Sequence, residues 1–258
     1  TVLTDANAQW IAALAEVGGR LGRADWVSRA EQGLETLLDA MRADDGLLFH
    51  YRPVGGQPAL AGLLSDVVET ARACLVVAQA AGEPVWADRA RELAEVMSDR
   101  FWADEGGFND IAAPVERVGA LARAVRPFET NATAAAVLVD LSLLEQGRSW
   151  RALAERALAV LSPLAGRYGV AAAGFALAVE HHFEAPRFFA VVGDGKAAER
   201  LRHAAGAGRE VAAGLAGLRD ARGAHGTVGR RDAARPAALH LARPHPGRRD
   251  AGELPHAA

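Results

Sequence analysis

The sequence predicts an all-α fold, a partial toroid of helical hairpins, and three observations carry that expectation. First, residues 60–82 are apolar on nearly every side, as in a helix buried all round, and Gly82 then Pro84 mark its stop and the next start. Second, Trp86, Ala90, Leu93, Ala94 and Met97 fall on one helical face, while Arg89, Arg91, Glu92 and Glu95 lie largely outside it. An inner helix thus returns as an outer one. Third, the unit recurs: Trp26, Arg29 and Ala30 lie 60 residues before Trp86, Arg89 and Ala90, and Ala43, Asp44 and Gly46 stand 60 before Ala103, Asp104 and Gly106. A further copy opens at Trp150, 64 residues after Trp86. Such self-similarity marks stacked units that bury their apolar faces only against neighbours. The long loops after each outer helix favour a toroid over a solenoid.

The elements follow in order. Residues 4–18 read as the first inner helix, capped by Asp5 or Asn7, and 24–41 as its outer partner. Residues 47–52 form a short extended segment before a turn-rich connection. The second hairpin is followed by a loop at 106–110 and an excursion at 114–125. Residues 130–144 and 150–164 make the third hairpin, and 168–183 a fourth inner helix. Residues 186–193 read as a strand and 196–205 as a helix. From residue 209 there is no aromatic and no isoleucine, and His, Arg, Gly and Pro abound. Such a composition buries too little apolar surface to offset its ordering entropy, and its texture resembles GC-rich coding sequence read out of frame. The expected divisions are a hairpin segment 1–185, a strand-helix extension 186–208 and a disordered or non-native tail 209–258.

Composition narrows the function classes. Half of the 258 residues are hydrophobic, enough for a sizeable core, and the net charge of −3 gives no support to a nucleic-acid surface. Cys74, the one cysteine, excludes intrachain disulfides and paired-cysteine redox or zinc motifs, and suits a cytoplasmic setting. No leader or membrane-spanning apolar run is read, so neither export nor membrane association is expected.

Candidate chemistry sits at the inner-helix starts. Asn7, Asp66 and Asn131 lie 19 or 20 residues before Trp26, Trp86 and Trp150, which places three polar groups in related positions at one mouth of a toroid. Glu129 joins them, and His50, Tyr51 and Phe108 from loops cover the opening. Carboxylate, amide and aromatic groups around a cavity suit a small carbohydrate. Helix capping is the competing explanation for the Asn and Asp residues. Asp66 and Glu129 are the candidate catalytic carboxylates of a glycosidase-like pair. His181 and His182 are adjacent, face different sides of a helix and form no metal pair, and Gly193 to Lys196 lacks the glycine spacing of a phosphate loop. No metal site and no cofactor are expected.

These residues resemble a known family, the thioredoxin-domain-containing proteins whose C-terminal part is an (α/α)6 toroid related to N-acylglucosamine 2-epimerases and six-hairpin glycosidases. The family's Thr-x-x-Asn helix start is similar to Thr4 and Asn7, followed by Ala13 to Glu16 and Gly18. Its Glu-Asp-Tyr stretch resembles Ser65, Asp66 and Val67. Its Phe-Trp-x-x-Glu-Gly-Gly-Phe loop matches Phe101, Trp102, Glu105 and Phe108 with the two glycines between, and its Pro-x-x-Asn segment resembles Pro127 to Asn131. The resemblance spans about residues 1–205 and includes the Val-Val-Gly run at 191–193. It implies a carbohydrate-related toroid, and the chain looks like a C-terminal fragment with three and a half of six hairpins. The family's thioredoxin-like cysteine pair is missing, so no redox activity carries over, and no histidine matches the epimerases' acid and base positions. Three readings follow: a sugar-binding toroid segment, a sugar epimerase or glycoside hydrolase using Asp66 and Glu129, and a non-enzymatic helical module completed by a partner chain.

Overall fold

The computed structural model describes residues 1–112, 125–144, 149–183, 188–192, 195–196, 200–201, 212–213 and 238–242. The described chain is mostly helical with two small three-stranded sheets. Its helices come as consecutive hairpins. Helix α1 (Thr4–Leu21) packs on α2 (Ala24–Met41), α3 (Leu64–Ala81) on α4 (Pro84–Phe101), and α5 (Phe128–Leu144) on α6 (Trp150–Leu161). The inner helices α1, α3 and α5 lie side by side, and α8 (Ala173–Phe183) continues the row beyond α5. Between α6 and α8 the chain passes through short helical turns that include α7 (Ala165–Tyr168).

Helix α3 occupies the centre of the row, which is why its sequence is apolar all round. Leu64, Val67, Val68, Ala71, Cys74, Leu75 and Val77 are all buried in one core with α1, α4 and α5 residues. The outer helices bury a single stripe each, Ala30, Leu34, Leu37 and Met41 on α2 and Ala90, Leu93, Met97 and Phe101 on α4. Gly82 ends α3 in the left-handed region (φ 76°), and Pro84 opens α4. In α1, by contrast, Gly18 does not stop the helix. Its missing side chain admits α2 instead: a Cβ there would stand 3.0 Å from that of Trp26. The stop is Gly22, at φ 65°.

The repeat is visible atom by atom in the loops after the outer helices. Ala43 N–H donates to the Leu47 carbonyl (2.8 Å) and Gly46 N–H to that of Ala43 (3.0 Å); Ala103 and Gly106 make the same bonds at 2.9 and 2.8 Å. Trp26 and Trp86 are each the third residue of their helices and are half-buried, with Trp86 Nε1–H donating to Glu31 at 3.1 Å. Trp150 instead opens α6 as its first residue and is fully buried, so the third copy is shifted by two positions.

Strands β1 (Val2–Leu3), β2 (Phe49–Arg52) and β3 (Ala59–Ala61) form an antiparallel sheet in that order. β1 runs directly into α1, and β3 is separated from α3 by two residues, so the sheet sits at the starts of two neighbouring inner helices. The extended reading of 47–52 is met, and its pairing adds what periodicity did not show.

The strand expected at 186–193 is present as β4 (Phe188–Val192), paired in parallel with β5 (Ala212–Ala213) and antiparallel with β6 (Ala238–Ala242). Two short strands therefore fall within the stretch expected to lack structure. The remainder of 209–258, the excursion at 114–124 and most of 196–205 lie outside the described residues. The run from Trp150 to Phe183 is long and apolar enough by composition to cross a membrane. It is not one straight rod: Gly169, at φ 54° and ψ −126°, breaks it, and α6 buries Trp150, Ala154, Ala157 and Leu161.

Candidate functional site

The polar groups expected at the inner-helix starts divide between two places. Counted from the helix starts, Asn7 and Asn131 are both fourth residues, whereas Asp66 is third in α3. One residue turns the direction of a side chain by about 100°, so Asp66 is not their equivalent. Capping in the expected sense is also absent. The N-cap positions of α1 and α3 are Leu3 and Leu63, and neither makes a side-chain cap bond.

Asn131 belongs to the loop rather than to an open mouth. It is fully buried. Its Oδ1 accepts the Phe108 N–H at 2.7 Å, and its Nδ2 donates to the carbonyls of Phe108 and Pro127, both at 2.9 Å. The amide thus replaces a missing strand partner for the loop, and Phe108, itself buried, packs edge-on against Trp102 at 5.0 Å. Gly107, at φ +77°, passes so close that a Cβ would lie 3.1 Å from Asn131 Oδ1. Phe108 and Asn131 therefore form a structural clamp and cover no opening. Glu129 is exposed, and no hydrogen bond or ion pair joins it to Asp66.

Asp66 is the centre of the second place. It is fully buried, and its Oδ1 accepts the backbone N–H of Asp5, in the first turn of α1, at 3.2 Å. Helix starts carry unpaired N–H groups and a partial positive charge, so Asp66 caps the helix of the neighbouring hairpin instead of its own. His50 Nδ1 stands 3.1 and 3.2 Å from the two Asp66 oxygens. β2 delivers it there. Alternation along the strand puts His50 on the face opposite Phe49 and Tyr51, and the buried Thr4 hydroxyl holds β2 to α1 by donating to the Phe49 carbonyl. Tyr51, half-buried, lies beside His50 with ring centroids 6.4 Å apart. Asn7 is also half-buried, and its amide donates to the Leu3 carbonyl at 2.7 Å, which fastens β1 to α1.

Burial pushes the Asp66 carboxyl up to about 6, against the opposing pull of His50. A carboxyl shifted toward neutrality by burial, with an imidazole beside it, is the kind of perturbed group that clusters at functional sites. Sequence reasoning named Asp66 and His50 separately, one as a helix-start carboxylate and the other as a lid. It missed Asp5 as their companion, although Asp5 in the first turn of a helix next to α3 was the available signal. Where no metal set was expected, Asp5, His50 and Asp66 bring their ligand-type atoms within 4.8 Å of one another. No family model matches the chain, and no curated protein matches it.

Proposed function

We propose that the chain is a segment of an (α/α)-hairpin toroid of the kind found in thioredoxin-domain-containing proteins and N-acylglucosamine 2-epimerases, and that it binds a small carbohydrate where α1, β2 and α3 meet. The observation that carries the reading is the approach of His50 Nδ1 to 3.1 Å from the buried Asp66 carboxylate. The half-buried His50 imidazole, held by the enclosed Asp66 carboxylate, is the group that offers a hydrogen bond to sugar hydroxyls. The consecutive hairpins with parallel inner helices support the toroid. If the site also turns a sugar over, His50 stands where Glu129 was expected, as the partner of Asp66. Saturation-transfer NMR with metal-free protein and a panel of neutral monosaccharides tests the binding: transfer seen with the wild type and lost in His50→Ala sustains the reading, and no transfer from any sugar removes it.

One observation favours a second reading, the module completed by a partner chain. Trp10, Val17 and Leu21 form a stripe on α1 and are 71%, 43% and 62% exposed, although α1 is an inner helix. On α8, Leu177 and Phe183 are likewise exposed. A sedimentation shift abolished by Trp10→Glu would support it.

A further inference from the structure

The geometry points to a divalent metal site of the zinc or manganese class, held by Asp5, His50 and Asp66. The three residues come from three separate elements, α1, β2 and α3, and their ligand-type atoms converge within 4.8 Å. One imidazole nitrogen with two carboxylates is a donor set that suits zinc or manganese better than magnesium or calcium, which prefer oxygen alone. Burial is graded across the set. Asp66 is enclosed, while Asp5 and His50 are half-buried, so an ion would keep one side open for water or a substrate oxygen.

Charge and hydrogen bonding independently favour a cation here. Among the described residues no Lys or Arg pairs with Asp5 or Asp66; the one ion-pair partner of Asp66 is His50. The buried carboxylate has about four lone-pair directions. It accepts the Asp5 N–H, and His50 Nδ1 stands within hydrogen-bond distance of both its oxygens. A cation at this point supplies the counter-charge that an enclosed carboxylate requires. Binding through Nδ1 requires that nitrogen free of a proton, with the imidazole hydrogen on Nε2, and any proton that Nδ1 carried goes to solvent. The ordered site then ties the start of α1, the sheet and the start of α3 to one ion. The inference uses residues of the carbohydrate site and stands without any sugar.

Zinc chloride alone is the probe, titrated calorimetrically into the metal-free full chain, with 15N NMR of the histidines followed in parallel. Seven other histidines can bind zinc adventitiously, so the readout is one equivalent that depends on carboxylates. Asp66→Asn and Asp5→Asn are each expected to weaken that equivalent at least ~10-fold, and the His50 ring nitrogens are expected to shift on saturation. Asp5→Asn changes a half-buried side chain and guards against a folding defect in the Asp66 variant. Equal zinc binding in the wild type and both variants, or His50 signals unmoved at saturation, would overturn the proposal. Because no carbohydrate is present, a zinc-binding protein that ignores every sugar refutes the binding function and leaves the metal site standing.

Discussion

Asp66 on α3 accepts the backbone N–H of Asp5 on α1 at 3.2 Å, so one hairpin's carboxylate caps the helix of the next. The bond should be separable from the charge. Asp66→Asn keeps an acceptor oxygen and Asp66→Ala does not, while both are neutral at every pH. Asp66→Ala is expected to be less stable than Asp66→Asn by about 1–2 kcal/mol in urea unfolding. Equal stability of the two variants would show that the cap contributes nothing.

The same carboxyl sets a pH dependence. Its folded value is raised from 3.8 to about 6 by burial, so the folded state favours the neutral acid. That preference is fully present below about pH 3.8 and is lost as pH rises through about 6. Asp66→Asn, never ionised, should therefore be more stable than the wild type above pH 6, by at most about 3 kcal/mol. The gap should close toward pH 4. Thermal melts in EDTA across pH 4 to 8 measure it, and a gap independent of pH would refute the assignment.

Asn131 should be worth more than its size. Asn131→Ala leaves the buried N–H and carbonyl of Phe108 without partners, a loss expected to cost about 2–4 kcal/mol. Hydrogen exchange at the Phe108 amide should accelerate as well. An amide that stays protected in the variant would mean the loop is held by its glycine turn alone.

Leu60 is the one non-glycine among the described residues with a positive φ, at 58°, and its side chain is 56% exposed. A left-handed conformation costs a branched residue roughly 1–2 kcal/mol, and an exposed side chain returns little for it. Leu60→Gly should thus raise the melting temperature. A fall would show that the left-handed strain is outweighed by the contacts Leu60 makes within this chain and by the greater unfolded-state freedom of glycine.

Much of the architecture was legible because helical hairpins write themselves locally. The stripe from Ala90 to Met97, the Gly82 stop, the Pro84 start and the twin loops at Ala43 and Ala103 depend on contacts a few residues apart, and each appears as read. The end of α1, three residues beyond Gly18, was not legible for a tertiary reason. A glycine that ends a helix and one that admits a neighbouring helix look the same until α2 is in place.

The sequence by itself determined which residues face inward along each helix and that the units repeat, since periodicity and propensity act through nearest turns of one chain. The tertiary structure decided which polar residues meet. Asp66 and Asn131 look alike as polar groups near helix starts, yet one residue of register, about 100° of rotation, sends one to the start of α1 and His50 and the other into the Phe108 loop. The pairing of β2 with β1 across nearly fifty residues carries His50 to Asp66, and no local pattern encodes that partner. Faces are written in the spacing of residues; neighbours are settled only when the whole row of helices packs.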